Sequence, residues 1–238
     1  VWGMLVERIP ISLFYGFWTF LIAYSVSIPL GILKALKHGS RTDNLSSLLI
    51  FFGYSLPPYV VGVFLISIFA YQLDWFPMGG FTSDEFDFLE TGWQKGMDVL
   101  HHSVLPLICY IIGDFAVLTM TMKNNLMENL AADYVRTAIA KGLPFHQAVR
   151  KHALRNSLIP IASHLGSVIS VFVAGSFLIE VVFDINGIGL LGYESIMERD
   201  YPVVMGILAI SSLLLMVGNI LSDICVAMVD PRVRFGEQ

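Results

Sequence analysis

The stretch that decides the fold is a polar segment set between long apolar runs. It reads Ala132-Asp133-Tyr134-Val135-Arg136-Thr137-Ala138-Ile139-Ala140-Lys141-Gly142-Leu143-Pro144 and continues to Arg155-Asn156. The runs around it are long enough to cross a bilayer, which takes about 20 apolar residues. A membrane protein that keeps a folded polar segment on one face is suited to pass force or a signal to a soluble partner.

The composition indicates an integral membrane protein. Charged residues make up 14% of the chain, against about 25% in soluble domains, and the mean hydropathy is strongly positive. Cys109 and Cys225 both lie in apolar runs without metal-ligand spacing, so neither a disulfide framework nor a metal site is expected. Because the chain starts at Val1 rather than Met, we expect it to lack an upstream membrane-crossing segment.

Five stretches qualify as membrane spans. They cover residues 9–33, 44–73, 99–122, 156–179 and 201–222, and Asp114 is the only charge within them. The second stretch contains Pro57-Pro58, and a hairpin there would leave too few residues on either side to cross a bilayer. One kinked, tilted span is therefore predicted, since proline disrupts the helical hydrogen bonding.

The loop charges give the orientation. One side of the five spans carries only Arg8, Lys95 and Arg199 as basic residues. The other side carries Lys34, Lys37, Arg41, Lys123, Arg136, Lys141, Arg150, Lys151, Arg155, Arg232 and Arg234. The positive-inside rule then places the polar segment and the C-terminus in the cytoplasm, with Val1 outside.

The polar segment predicts a pair of short helices. Asp133 is expected to cap the first helix, Gly142 to end it in a left-handed conformation, and Pro144 to prevent its continuation. The apolar stripe of this helix consists of Tyr134, Val135, Ala138 and Ile139. The second helix sets Phe145, Ala148 and Val149 against Arg150, Lys151, His152 and Arg155. From these residues alone, the pair is either a helix lying on anionic lipid or a plug for a partner's groove.

The same residues resemble the coupling motif of binding-protein-dependent ABC importer permeases. Residues 134–142 resemble the Tyr-Val-Arg-Thr-Ala-x-Ala-Lys-Gly of the peptide and nickel branch, and residues 152–156 resemble its His-Ala-x-Arg-Asn. Both depart from the general family motif, which has Glu-Ala-Ala and, further on, Ile-x-Leu-Pro. Within region 131–157, the resemblance assigns ATPase coupling to Asp133, Tyr134, Val135, Arg136, Thr137, Ala138, Ala140, Lys141, Gly142, His152, Arg155 and Asn156.

Motifs elsewhere extend the resemblance over almost the whole chain. They are Ser55-Leu56-Pro57, Pro77-Met78-Gly79, Ile179-Glu180-Val181-Val182-Phe183 followed by Asn186-Gly187-Ile188-Gly189, Arg199-Asp200-Tyr201-Pro202, and Val229-Asp230-Pro231-Arg232. Within the branch, the chain most resembles the Yej-type importers of oligopeptides and the peptide antibiotic microcin C.

The resemblance implies an all-α type I importer permease of the bacterial inner membrane. Residues 1–238 would form a single permease domain, a polytopic bundle of five transmembrane helices with a cytoplasmic coupling helix pair. Its implied partners are a second homologous permease, two cytoplasmic ATPase domains that bind ATP-Mg, a periplasmic peptide-binding protein, the peptide substrate and membrane lipid. The chain itself would hold no catalytic residue, cofactor or metal and would bind no nucleic acid.

Two acidic residues are candidates for the translocation path. Asp114 lies inside a span, where a carboxylate is costly and usually faces a cavity or a partner. Glu180 lies at the outer end of the fourth predicted span, where the family places residues of the outer gate. A structural pairing for Asp114 and a solvated boundary position for Glu180 remain open.

Other classes of membrane protein have less support. A proton-coupled secondary transporter using Asp114 and Glu180 is the alternative, although the sequence shows no repeated halves. No nucleophile or metalloprotease motif supports an intramembrane enzyme. Small residues every fourth position (Ala162, Gly166, Ser170 and Ala174) indicate either internal helix packing or a seam with a second permease. The aromatic residues of loop 74–98 indicate either membrane anchoring or a contact surface.

Overall fold

The protein is described by a computed structural model covering residues 1–165 and 176–229. In chain order the helices are α1 (Trp2–Leu36), α2 (Arg41–Ser55), α3 (Pro58–Leu65, continued by the π-helical turns Ile66–Gln72), α4 (Gly92–Ala131), α5 (Asp133–Ala140), α6 (Phe145–Ala148, continued by the π-helical turns Val149–Ala153), α7 (Leu154–Ser157), α8 (Ile159–Ser163), α9 (Phe177–Val182), α10 (Ile188–Glu198) and α11 (Tyr201–Val229). These ranges contain no strand, as an all-α bundle requires.

Helices α1 and α4 form the frame of the molecule. At about 1.5 Å per residue they are roughly 52 and 60 Å long, well above the roughly 30 Å of a bilayer's hydrocarbon core. They pack side by side and approach closely at Gly31, where an added Cβ atom would lie 2.6 Å from the Cβ atom of Met122. Among the described helices, α1, α4 and α11 are each long and apolar enough to span a membrane. The first, third and fifth predicted spans therefore correspond to continuous helices.

The second predicted span is broken rather than kinked. Helices α2 and α3 meet at 94°, a geometry compatible with a broken span or a re-entrant loop. Leu56 and Pro57 both have extended backbones at the break. Each of them precedes a proline, and a residue before proline is pushed out of the helical region. Two such residues in succession end the helix, so the structure has two separate helices where the sequence predicted one kinked, tilted span.

The fourth predicted span also differs from a single helix. Leu158 separates α7 from α8, and Ser176 has an extended backbone before α9 begins. The end of the predicted span therefore belongs to a separate short helix. Residues 166–175 lie outside the described part of the chain, and with them Gly166, Ser170 and Ala174 of the small-residue pattern.

The buried residues form two main clusters along the frame. One lies near loop 73–91 and contains Tyr15, Ala70, Leu105, Leu107, Cys109, Tyr110, Ile179, Phe183 and Ile185. The other lies beside the polar segment and contains Ala23, Ala35, Leu118, Met122, Leu126, Val135, Ala148, Ala153 and Ile161. We call these regions the loop end and the coupling end. The predicted orientation places the first outside and the second in the cytoplasm.

Loop 73–91 folds back on the loop end. The Gly80 N–H group donates a 2.8 Å hydrogen bond to the carbonyl oxygen of Phe183. Phe76 and Phe81 pack against the buried cluster, whereas Trp75 and Phe88 are exposed. The aromatic residues therefore divide between packing and an exposed surface, and both interpretations of the exposed ones stay open.

Candidate functional site

The polar segment forms the predicted helix pair, with one correction at its start. Helix α5 begins at Asp133, and the N-cap position belongs to Ala132, whose backbone is extended. No side chain caps this helix, so the prediction that Asp133 is the cap was wrong. Its place in the first turn still suits a carboxylate, because the N-terminus of a helix carries a partial positive charge.

The apolar stripe of α5 divides between two surfaces. Val135 is fully buried in the coupling-end cluster, among residues of α4 and α6. Tyr134 and Ile139 are 42% and 39% exposed. One apolar side chain thus anchors the helix, while two remain available to a partner. Of the other predicted coupling residues on α5 and its C-cap, Ala138 is half-buried, and Arg136, Thr137, Ala140 and Lys141 are exposed.

The end of α5 confirms the predicted role of Gly142. Its φ angle is +92°, and its N–H group donates to the Ile139 carbonyl oxygen at 2.9 Å. The next N–H group, of Leu143, donates to the Ala138 carbonyl oxygen at 3.1 Å. These two bonds form a Schellman motif, which satisfies the last carbonyl groups of the helix. The chain can then turn sharply into α6.

The second helix of the pair has an apolar side and a basic side. Ala148 and Val149 are buried, but Phe145 is 58% exposed and is a third exposed apolar side chain of the helix pair, besides Tyr134 and Ile139. On the basic side, a recess of about 540 Å³ is lined by His146, Gln147, Arg150 and Lys151. The helix pair therefore offers both apolar and basic groups to whatever it contacts.

A polar bridge fixes the pair to α4. The Tyr134 hydroxyl group donates to the side-chain carbonyl oxygen of Asn129, and the Asn156 amide group donates to the Tyr134 oxygen at 3.0 Å. Asn129 also donates to the Ser157 hydroxyl oxygen at 3.2 Å. Of the coupling residues predicted in the second helix, Asn156 joins this bridge, while His152 is exposed. The participation of Asn129 and Ser157 was missed, because neither lies in the motif.

Arg155, the remaining predicted coupling residue, lies on the surface of α7. It is next to Asn156 in the sequence and therefore close to the polar bridge. All the predicted coupling residues therefore lie in the segment from α5 to α7, which directly follows α4.

Glu180 lies at the loop end, and its side chain is fully buried. Its two carboxyl oxygens accept hydrogen bonds from the Tyr110 hydroxyl group at 3.1 Å and the Leu190 N–H group at 2.8 Å. A Cβ atom added at Gly187 or Gly189 would lie 2.5 or 2.9 Å from its Oε2 atom. The glycines of the Gly-x-Gly motif thus leave room for the carboxyl group. Glu180 therefore connects α9 to α4 and α10.

Asp114 lies in a different environment from Glu180. It is half-buried in the middle of α4, close enough to His164 for an electrostatic interaction. The structure does not bring the two predicted path residues together on one element. A role in the translocation path stays a prediction for both.

A buried ionic cluster at the coupling end was missed from the sequence. Lys34 of α1, Asp43 of α2 and Lys123 of α4 are 2%, 2% and 7% exposed. In the sequence, the two lysines counted only as charges flanking the spans, and Asp43 drew no attention. The sequence feature that could have indicated this cluster is a single aspartate, Asp43, close to lysines at the ends of apolar runs.

The comparisons with known proteins agree with this architecture. Residues 27–235 match the family described as the inner membrane component of binding-protein-dependent transport systems. The chain is 45% identical over 235 residues to the inner membrane ABC transporter permease protein YejB of Escherichia coli O157:H7, and 43% identical over 235 residues to the peptidoglycan transport system permease protein YejB of Agrobacterium fabrum (strain C58). These matches cover 98% of this chain and 64% of each relative's length.

More distant matches extend the same pattern. The oligopeptide transport system permease protein AppB of Bacillus subtilis is 35% identical over 232 residues, which cover 98% of this chain and 72% of that protein. Two inward-facing structures of the MetNI methionine ABC transporter share the fold, with TM-scores of 0.67 and 0.71 and identities of 18% and 16%. Each covers 96% of this chain and 97% of the matched chain. The resemblance drawn from the coupling motif is thereby confirmed, and the chain belongs to the family of inner membrane components of binding-protein-dependent transport systems.

Proposed function

We propose that this chain is the non-catalytic permease subunit of an ATP-driven importer that moves oligopeptides into the cytoplasm. The observation that carries the proposal is the coupling region, where a rigid helix pair fixed to α4 presents Tyr134, Ile139 and Phe145 on its surface. An amphipathic helix with exposed apolar anchors is suited to a groove on a partner protein. The partners are a second homologous permease, two cytoplasmic ATPase domains that bind ATP-Mg, and a periplasmic binding protein.

The proposed cargo follows from what the relatives have in common. Their names refer to peptidoglycan and to oligopeptides, and a peptide chain is the feature that these cargoes share. Microcin C-like peptides belong to the same chemical class. We therefore propose peptide-containing cargo, for which the binding protein does most of the selecting.

The proton-coupled alternative has less support from the geometry of Glu180. A proton relay needs a carboxyl group that can exchange protons with water or with a neighbouring relay group. The carboxyl group of Glu180 is instead fully buried and hydrogen-bonded to Tyr110 and Leu190. This arrangement favours a structural role for Glu180.

Reconstitution tests the function directly. The chain and its four proposed partner components would be assembled in proteoliposomes, and uptake would be measured for labelled oligopeptides, a peptidoglycan-derived peptide and microcin C. We expect uptake to require hydrolysable ATP and the binding protein, and to survive a protonophore. Uptake that is driven by a proton gradient without ATP would overturn the proposal in favour of the secondary transporter.

Cysteine labelling tests the proposed orientation. Single cysteines at Lys37 or Arg136, and at Arg232 in the C-terminal part outside the described residues, should resist a membrane-impermeant thiol reagent applied to spheroplasts. Cysteines at Phe86 or Glu194 should react. The background would lack Cys109 and Cys225. Reaction of position 136 from outside would contradict a cytoplasmic coupling region.

A further inference from the structure

Helix α2 is held to the rest of the chain by few buried residues. Of its 15 residues, only Asp43 and Ile50 are buried. Its apolar side chains Leu45, Leu48 and Leu49 are more than 60% exposed. The position of such a helix depends strongly on its few buried contacts. At the end that is predicted to face the cytoplasm, the buried residue is the charged Asp43.

The carboxylate of Asp43 is contacted by groups from α1, from α4 and from the loop between α1 and α2. The Lys123 Nζ atom lies 2.8 Å from both of its oxygens, and the Lys34 Nζ atom lies 3.1 Å from Oδ1. The Gly39 N–H group donates to Oδ2 at 3.1 Å, and the His38 Nδ1 atom lies 3.3 Å from the same oxygen. One carboxylate of α2 is therefore shared by a lysine of α1 and a lysine of α4.

Lys34 makes further contacts that belong to α2 itself. Its ammonium group donates to the Ser46 and Ser47 hydroxyl oxygens at 2.7 and 2.8 Å and to the Asp43 carbonyl oxygen at 2.9 Å. Buried charges persist only when they are paired and hydrogen-bonded. The first turn of α2 therefore cannot move away from α1 and α4 without leaving charged groups unpaired.

The same stretch of α4 also carries the coupling pair. Lys123 lies one turn before Leu126, which is buried in a cluster with Val135 of α5 and Ala148 of α6. Asn129, a further turn along, is in the polar bridge with Tyr134. Within two helical turns, α4 is thus attached to the coupling pair on one side and to α2 through Asp43 on the other.

The far end of the α2–α3 element reaches the loop end. Past the 94° break, a Cβ atom added at Gly62 of α3 would lie 2.9 Å from the Phe183 ring. The carbonyl group of Phe183 accepts the hydrogen bond from Gly80 in loop 73–91. The α2–α3 element therefore connects the ionic cluster with the region around Glu180.

We propose that Lys34, Asp43 and Lys123 form an ionic joint that transmits movement of the coupling pair to the α2–α3 element. They act as positioning residues for the coupling of ATP hydrolysis to transport, and the inference rests on the proposed function. Because one carboxylate of α2 is shared by a lysine of α1 and a lysine of α4, a movement of α4 together with the coupling pair would pull on α2. Removal of Asp43 or Lys123 would leave the coupling pair packed against α4 but would weaken its connection to α2.

The test compares the variants Asp43→Asn and Lys123→Met with a charge exchange that combines Asp43→Lys with Lys123→Asp. The exchange restores two lysines around one aspartate. Glu194→Gln is the matched control, because it removes one charge from an exposed ion pair with Arg8. Each variant would be co-purified with its partners and assayed for ATP hydrolysis and peptide uptake in proteoliposomes.

We expect both single variants to assemble and hydrolyse ATP, with uptake per ATP lowered roughly 2- to 30-fold, the range for residues in a coupling network. The exchange should recover part of the loss, and the control should match the wild type. Unchanged uptake per ATP in both single variants would overturn the proposal. Failure of both to assemble, without recovery in the exchange, would also overturn it, because the cluster would then serve only folding.

A label on α2 separates this inference from the proposed function. A spin label at Leu45→Cys should change its distance to one at Glu128→Cys, an exposed site near the end of α4 that carries the coupling pair, when nucleotide binds to the assembled complex, and Asp43→Asn should alter that change. If the wild type shows no ATP-driven uptake, the proposed function fails. The change in the distance between the labels on nucleotide binding then still tests the ionic joint. An identical change in the wild type and in Asp43→Asn would refute it.

Discussion

Helix α4 contacts two buried carboxylates, Glu180 near its middle and Asp43 nearer its C-terminal end, but with different chemistry. At the loop end, Glu180 accepts hydrogen bonds from the Tyr110 hydroxyl group of α4 and from the backbone N–H group of Leu190. At the coupling end, Lys123 of α4 pairs with Asp43, which Lys34 also contacts. Uncharged donors thus surround the first carboxylate, and two ammonium groups surround the second.

This difference indicates which end is built to be rigid. Around Glu180, close packing against Gly187 and Gly189 leaves no space for rearrangement. Around Asp43, the contacts link three helices, α1, α2 and α4, through lysine side chains, so a movement of one helix is carried to the others. We therefore expect changes at the loop end to act mainly on stability, and changes at the coupling end to act mainly on the transfer of motion.

The largest effect on stability is expected for Glu180→Ala. It leaves the Tyr110 hydroxyl and the Leu190 N–H group buried without their acceptor, at roughly 1–3 kcal/mol each, so about 2–6 kcal/mol in total. Cys109 is fully buried beside this site, and its reaction with a thiol dye on heating reports unfolding. Glu180→Gln should have a smaller effect, because its amide keeps the shape of the side chain and one acceptor oxygen, although its NH2 group replaces the other acceptor. An unchanged unfolding temperature for the alanine variant would show that the loop end is not rigid.

The second-largest effect on stability tests the rigidity of the loop end through its packing. An added Cβ atom at Gly79 would lie 2.5 Å from the Phe183 carbonyl oxygen. Gly79→Ala should therefore destabilise the chain by about 1–3 kcal/mol, as overpacking does in a well-packed region. Gly96→Ala is the control for an added methyl group without packing, since among the described residues no atom outside its own helical turns lies within 4 Å of its added Cβ atom, and it should be neutral or slightly stabilising because it lies in α4. Equal unfolding temperatures for the two variants would mean that the loop yields to accommodate the methyl group.

Much of the coupling end could be predicted from local sequence. The Schellman motif at Gly142 and the separation of α5 from α6 follow from the glycine and proline of Gly142-Leu143-Pro144, which act within one turn. Helix α5 was likewise visible as an apolar stripe. The stripe could not reveal that Val135 faces inward while Tyr134 and Ile139 face outward, because the orientation depends on where α4 lies.

The sequence was less informative where distant residues meet. Asp43 and Lys123 are 80 positions apart, and only the packing of α2 against α4 brings them together. The second span shows a related limit. Its length and composition suggested one helix, while the backbone preferences of Leu56 and Pro57 turned the chain by 94°. In both cases, a count of apolar residues omits the geometry that decides the outcome.

The third prediction concerns the coupling end. Gly142→Val forces a β-branched residue into a left-handed backbone, at roughly 1–2 kcal/mol. Among the described residues, apart from its chain neighbours, none has an atom within 4 Å of the added Cβ atom, so the strain comes from the backbone. Membrane insertion should persist, while ATPase co-purification or uptake per ATP should fall. Gly142→Asn should be milder, because asparagine tolerates this conformation better. Normal docking and coupled uptake in the valine variant would favour a helix that merely lies on lipid.

The smallest effect is expected for Tyr134→Phe, which tests whether the polar bridge contributes to the coupling end. The substitution keeps the exposed ring and removes only the hydroxyl group that contacts Asn129 and Asn156. Because the site is partly exposed, water can replace the lost bonds, and we expect a loss of about 0.5–1.5 kcal/mol in stability. Uptake per ATP should fall slightly, since α5 is less firmly held to α4, while ATPase co-purification stays normal. The combination with Asn156→Ala gives a double-mutant cycle, in which a shared bond makes the two losses less than additive. Fully additive losses would show that the two side chains act independently, and that the buried apolar contacts of Val135 and Ala148, rather than the polar bridge, fix the helix pair to the frame.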